Sequence, residues 1–124
     1  MTRARPEHQI QAAIVDLWKL RGKPGSLVFA IPNGGLRDPV VGAYLKQEGV
    51  MPGVADLGVI SPSGKMGWIE VKTDRGRLSA EQKWFGDYVR ERGHAWALVR
   101  DLGDAQVVLT AWGVLRGGTK EAAE

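Results

Sequence analysis

The chain contains no cysteine, which excludes a disulfide framework and any zinc–thiolate centre and fits a reducing compartment. It has two histidines, His8 and His94, so a metal site would have to be oxygen-rich. Such a site suits a hard cation like Mg²⁺ or Mn²⁺. Its apolar runs are far shorter than a membrane span, and no signal-peptide pattern opens it. Internal repeats and low-complexity linkers are lacking. So are a glycine-rich phosphate loop with a following Lys-Ser/Thr and a nucleophile elbow.

What remains is an ordinary globular composition. The 124 residues, 44% hydrophobic and 25% charged, make one domain with enough apolar surface for a real core. Lys and Arg outnumber Asp and Glu by 17 to 14, for a net charge of +3 and a pI near 9.4. That balance is compatible with a polyanionic partner and is weak evidence for one. Its distribution says more: ten of the cations are arginines, and Arg75 and Arg77 flank a glycine just beyond an acidic cluster.

Periodicity gives the elements. Pro6 to about Leu20 reads as a helix, with Ile10, Ala13, Ile14, Leu17 and Trp18 at helical spacing. Glu7 extends that apolar stripe, although it also suits the positive end of the helix dipole. Leu27 to Ile31 reads as a buried strand, ended by the turn Pro32-Asn33-Gly34-Gly35. Asp38-Pro39 starts a second helix through about Gln47. Ser79, with Gln82 three residues on, forms a capping-box pattern for a helix to about Arg92, with Trp84, Phe85, Tyr88 and Val89 as one apolar face. Ala95 to Val99 is another strand. Asp101 to Trp112 fits a helix by spacing, while its branched residues also suit a strand. This order predicts an α/β sandwich around a mixed sheet.

The stretch from Gly53 to Gln82 carries the chemistry. Gly53-Val54-Ala55-Asp56-Leu57-Gly58-Val59-Ile60, the turn Ser61 to Gly64 and Trp68-Ile69-Glu70-Val71-Lys72 predict two adjacent strands. Asp56, Glu70 and Lys72 stand among apolar neighbours, where a charge is costly unless partnered. Alternation puts Glu70 and Lys72 on one face and Ile69 and Val71 on the other. A tight turn would return Glu70 beside Asp56. Two carboxylates so close repel unless one is protonated or a cation intervenes. A divalent metal would relieve this, with the Val71 carbonyl as one more oxygen and Lys72 offsetting charge on a phosphorane. Such a set suits hydrolysis of a phosphodiester.

Each of these residues also has a plainer reading. An Asp…Glu-x-Lys pattern arises by chance, and strand Glu and Lys often only pair across a sheet. Gln82 is explained as a cap, Asn33 as a turn residue, Trp84 and Phe85 as core, and His94 as structural. The combination of pieces carries more weight. Glu7, Pro32 to Gly35, Gly53 to Leu57, Trp68 to Thr73 and Gly76 to Gln82 occur in an order that resembles the VRR-NUC family of PD-(D/E)XK, restriction-endonuclease-like nucleases. The resemblance spans about residues 5 to 112. Ala55 stands where the superfamily name has proline, a packing position rather than a chemical one.

The resemblance implies Asp56 and Glu70 as metal ligands, Lys72 as the catalytic lysine, and Glu7 and Gln82 as further site residues. It implies a restriction-endonuclease-like three-layer sandwich with Asp38 to Gln47 as an insertion. Asn33, Arg37, Arg75, Arg77 and Ser79 are the candidate nucleic-acid contacts. The expected protein is one domain over residues 1–124, its core about 5–112 and its tail 117–124 frayed. The expected activity is Mg²⁺- or Mn²⁺-dependent DNA endonuclease, structure-selective and able to resolve Holliday junctions as a homodimer in a bacterial or phage-infected cytoplasm. A flap- or single-strand-directed nuclease, a catalytically silent DNA-binding module and a small-anion-binding domain are the alternatives.

Overall fold

The computed structural model describes residues 6–33 and 38–117. The elements run α1 (Pro6–Arg21), β1 (Leu27–Ala30), α2 (Pro39–Gln47), β2 (Leu57–Ile60), β3 (Met66–Val71), α3 (Ala80–Glu91), β4 (Ala95–Val99) and α4 (Leu102–Ala111). The four strands lie in the order β1-β2-β3-β4. The first three pair antiparallel, and β4 joins β3 in parallel through the crossover helix α3. The sheet is therefore mixed, as expected.

Two clusters on opposite faces of the sheet make three layers. Ile14 from α1, Val28, Leu57, Val59, Ile69, Val71 and Val99 from the strands, and Ala105 and Leu109 from α4 form the larger one. On the other face Phe85 and Val89 of α3 pack with Ala55, Trp68 and Trp96. Alternation along β3 explains the split, since Ile69 and Val71 point into the first cluster while Trp68 and Glu70 turn toward α3. The stretch from Asp101 is a helix. Asp101 caps it, accepting from the Asp104 N–H at 2.7 Å, and this end signal outweighs the branched residues behind it.

Two expectations are corrected. Trp84 and Tyr88 do not share the buried face of α3: they are 52% and 40% exposed. Trp84 and Phe85 differ by 100° around the helix axis, and the sheet covers only the stripe of Phe85 and Val89. The exposed pair stacks on itself with centroids 5.1 Å apart, and the Arg92 guanidinium lies 3.7 Å from the Tyr88 ring. The packed chain also runs past Trp112. Val114 and Leu115 are buried at 0% and 1% exposure, and Leu115 bridges to Gly22. Two apolar residues after a helix are too few to register as periodicity.

Candidate active site

The hairpin between β2 and β3 builds the acidic pair. Its register sets Leu57 opposite Ile69, so one further step sets Asp56 opposite Glu70. The Val71 N–H donates to Asp56 Oδ2 at 2.7 Å, which fixes the Asp56 carboxylate at the strand end. Gly53 lets the approaching loop pass close to α3. Its φ is +93°, and a Cβ there would lie 2.5 Å from the Glu81 carbonyl.

Glu70 is 2% exposed, and its Oε1 is buried without a hydrogen-bond donor. Burial, first, and then the Asp56 carboxyl within hydrogen-bonding reach push its pKa from 4.5 up to about 9. Lys72 pulls the other way, and Glu7 adds a small push upward. Glu7 itself is solvent-exposed in the first turn of α1: it faces water rather than extending the apolar stripe, suits the helix dipole, and its charge is felt at Glu70.

Gln82 holds two partners at once. Its Oε1 accepts from the Ser79 N–H at 2.8 Å, and its Nε2 donates to Glu70 Oε2 at 3.1 Å. The Ser79 Oγ accepts from the Gln82 N–H at 3.1 Å and completes the capping box. The cap therefore aims the amide at the acid rather than competing with it.

The other candidates spread around this centre. Arg75 and Arg77 are exposed on the loop after Lys72. Asn33 Nδ2 donates to the Val54 carbonyl at 3.2 Å, tying the end of β1 to the approach to β2. Arg37, like Gly34 and Gly35, lies outside the described residues, as do residues 118–124. His94 accepts from the Trp68 indole N–H at 3.3 Å, a packing role.

Sequence reasoning missed Arg100. Its Nη1 donates to the carbonyls of Thr73 at 2.5 Å and Gly76 at 2.8 Å, pinning the loop that follows Lys72. Backbone acceptors leave no residue-type trace. The only sequence signal is a cation at the end of a half-buried strand, just before a helix cap.

The acidic pair fits a hard divalent cation. Two carboxyls lie in mutual reach, one buried oxygen lacks a donor, and a cation would replace the proton that their repulsion otherwise demands. Among the described residues no group of three or more His, Cys, Asp or Glu gathers. The side-chain contribution would thus be two carboxylates, a number that Mg²⁺ commonly takes.

One prediction follows from the charge state of Glu70. Without divalent cations the folded chain keeps its proton across neutral pH while the unfolded chain loses it near 4.5. The folded state then binds more protons, so stability is fully present below that value and is lost as pH rises toward about 9. Glu70→Gln cannot ionise. Thermal melts in EDTA at about pH 5, 7 and 9 should show the variant gaining on wild type as pH rises. Parallel curves would place the Glu70 carboxyl in a solvated setting.

A mixed four-stranded sheet between helical layers, with an acidic pair and a lysine at its strand ends, makes a three-layer α/β sandwich. No family model matches the chain, and no curated protein matches it. Solved structures do. One named "VRR_NUC domain protein" superposes with a TM-score of 0.72 at 16% identity, over 90% of each chain. Another, named "VRR_NUC domain", has a TM-score of 0.64 at 21% identity, over 88% of this chain and 99% of its own. The chain has the VRR-NUC fold, as the resemblance in its sequence implies.

Proposed function

We propose that this protein is a metal-dependent DNA endonuclease that hydrolyses phosphodiester bonds in branched DNA, including four-way junctions. The observation that carries this reading is the Asp56–Glu70 pair, with Glu70 Oε1 buried and lacking a donor. A binding module gains nothing from clustered carboxyls facing phosphates, whereas a hydrolase needs them to hold a cation. Similarity in fold to structures named for the VRR_NUC domain supports the same class.

In this reading Asp56, Glu70 and the Val71 carbonyl would hold Mg²⁺ or Mn²⁺. Bound there, such a cation supplies Lewis acidity, polarising the phosphoryl group and making water a stronger acid. The chain's own residues do the rest. The Val71 N–H holds Asp56 in place, and the Gln82 amide fixes Glu70 by one oxygen, which leaves the other free. Lys72 offsets the charge that builds on the phosphorane. Glu7 adds negative potential from the opening turn of α1.

Arg75 and Arg77, with Asn33, Arg37 and Ser79, position the DNA backbone rather than read bases. One such site cuts one strand, so paired cuts across a junction call for a two-fold homodimer. Among the described residues no helix is long and apolar enough to cross a membrane. We place the activity in the cytoplasm, where DNA is the partner.

A panel of duplex, flap, fork, single-stranded and four-way-junction DNA, with Mg²⁺, Mn²⁺ or EDTA, tests the proposal. The expected result is metal-dependent cutting with junctions and forks preferred over plain duplex. Preference for flaps or single strands would replace the branched-DNA reading. Tight binding with no cutting under either metal would leave a silent binding module.

A further inference from the structure

Arg100 lies between two rigid supports. It follows Val99, the buried last residue of β4, whose carbonyl accepts from the Lys72 N–H at 3.0 Å. On its other side, Asp104 Oδ2 in the first turn of α4 accepts the Arg100 N–H at 2.9 Å. The backbone that carries this side chain is thus tied to the sheet and to a capped helix at once.

From this base the guanidinium reaches back over the sheet to one loop. A single Nη1 donates to both Thr73 and Gly76 carbonyls, 2.5 and 2.8 Å away. The Gly76 N–H closes the same turn onto the Thr73 carbonyl at 3.1 Å. Gly76 lies against the Lys72 stem: a Cβ there would meet Lys72 Cβ and Cδ at 3.2 Å. Hydrogen bonds to a charged donor are among the stronger ones a partly buried loop can make. A four-carbon stem with free rotamers has much entropy to lose.

We propose that Arg100 is a positioning residue for the hydrolysis: by gripping the Thr73–Gly76 turn it clamps that turn over the Lys72 stem and fixes where the Lys72 ammonium points. This rests on the nuclease reading for its rate consequence, but the clamp itself is a property of the fold. The Arg100 guanidinium bonds the loop rather than the acidic pair, and it acts through that loop. Misplacing a catalytic group by about 1 Å can cost on the order of a hundredfold in rate.

The test uses the full chain with Arg100→Ala and Arg100→Lys, read by amide hydrogen exchange and by steady-state cleavage. Loop amides from Asp74 to Gly76 should exchange faster in Arg100→Ala while those of β3 stay protected. Its kcat should fall at least about tenfold, with KM changed by less than about threefold. Guanidinium ion at millimolar concentration should restore part of the rate in Arg100→Ala and none in Lys72→Ala. Arg100→Lys, with the same charge on a shorter reach, should fall between. It decides the matter alone if the alanine variant does not fold. Unchanged loop exchange, or a loss confined to KM, would overturn the proposal. If wild type cuts no DNA, the nuclease reading fails by itself, and loop exchange still decides the clamp: faster exchange keeps it, unchanged exchange removes it.

Discussion

Asp56→Asn and Glu70→Gln are each expected to lose cleavage of every DNA substrate while keeping the fold and most of the DNA affinity. Both changes are nearly isosteric. An asparagine oxygen at position 56 can still accept the Val71 N–H that Asp56 Oδ2 accepts at 2.7 Å. A glutamine at position 70 stands close to the neutral, protonated acid that burial and Asp56 favour when no cation is bound. Neither change therefore opens a cavity or strands a buried charge, the usual causes of a large loss of stability. On the proposed reading each removes one of two carboxylate ligands. The Lewis acidity that is lost has no replacement among the remaining groups, since Lys72 supplies charge but coordinates nothing. A folded variant that cuts at the wild-type rate would mean the acidic pair is not the active site.

Gln82→Glu should lose at least tenfold in cleavage with little change in melting temperature, a threshold set by the roughly 10²–10³ that one positioned donor can contribute. The geometry makes this substitution discriminating. Gln82 Oε1 caps Ser79 while Nε2 holds Glu70 Oε2, so a carboxylate keeps the first bond and turns the second into a repulsion of like charges whenever Glu70 is ionised, as it would be on a cation. Gln82→Ala should lose both, with about 1 kcal/mol of stability gone along with activity. Near-normal turnover by Gln82→Glu would leave the residue as a cap alone. The cap and the contact with Glu70 are the two ends of one amide.

Why the geometry of the candidate site was largely legible, and parts of the fold were not, comes down to which interactions leave a mark on residue type. Capping does: Ser79 and Gln82 at three-residue spacing fixed the start of α3. Strand alternation and a tight turn do as well, because they set Asp56 opposite Glu70 one step past the Leu57–Ile69 pair. Side-chain grips on backbone carbonyls do not, which is why Arg100 passed unnoticed. Apolar residues on a helix say which faces are available, not how wide a stripe the sheet will cover. Trp84 and Tyr88, apolar by type and helical spacing, therefore stand in solvent. The turn at Asn33 proved to be a tie to Val54, a long-range bond that local turn chemistry could not foretell.

On the proposed reading Asp56 and Glu70 hold a divalent cation. Calorimetric titration of Mn²⁺ into the wild-type chain and into folded Asp56→Asn and Glu70→Gln tests it most directly, without relying on any choice of DNA. The expected result is saturable binding to the wild type, accompanied by release of protons near neutral pH as the cation displaces the one held at Glu70. The same binding should be lost or strongly weakened in both variants. Equal Mn²⁺ affinity in all three proteins, with no proton release from the wild type, would contradict it.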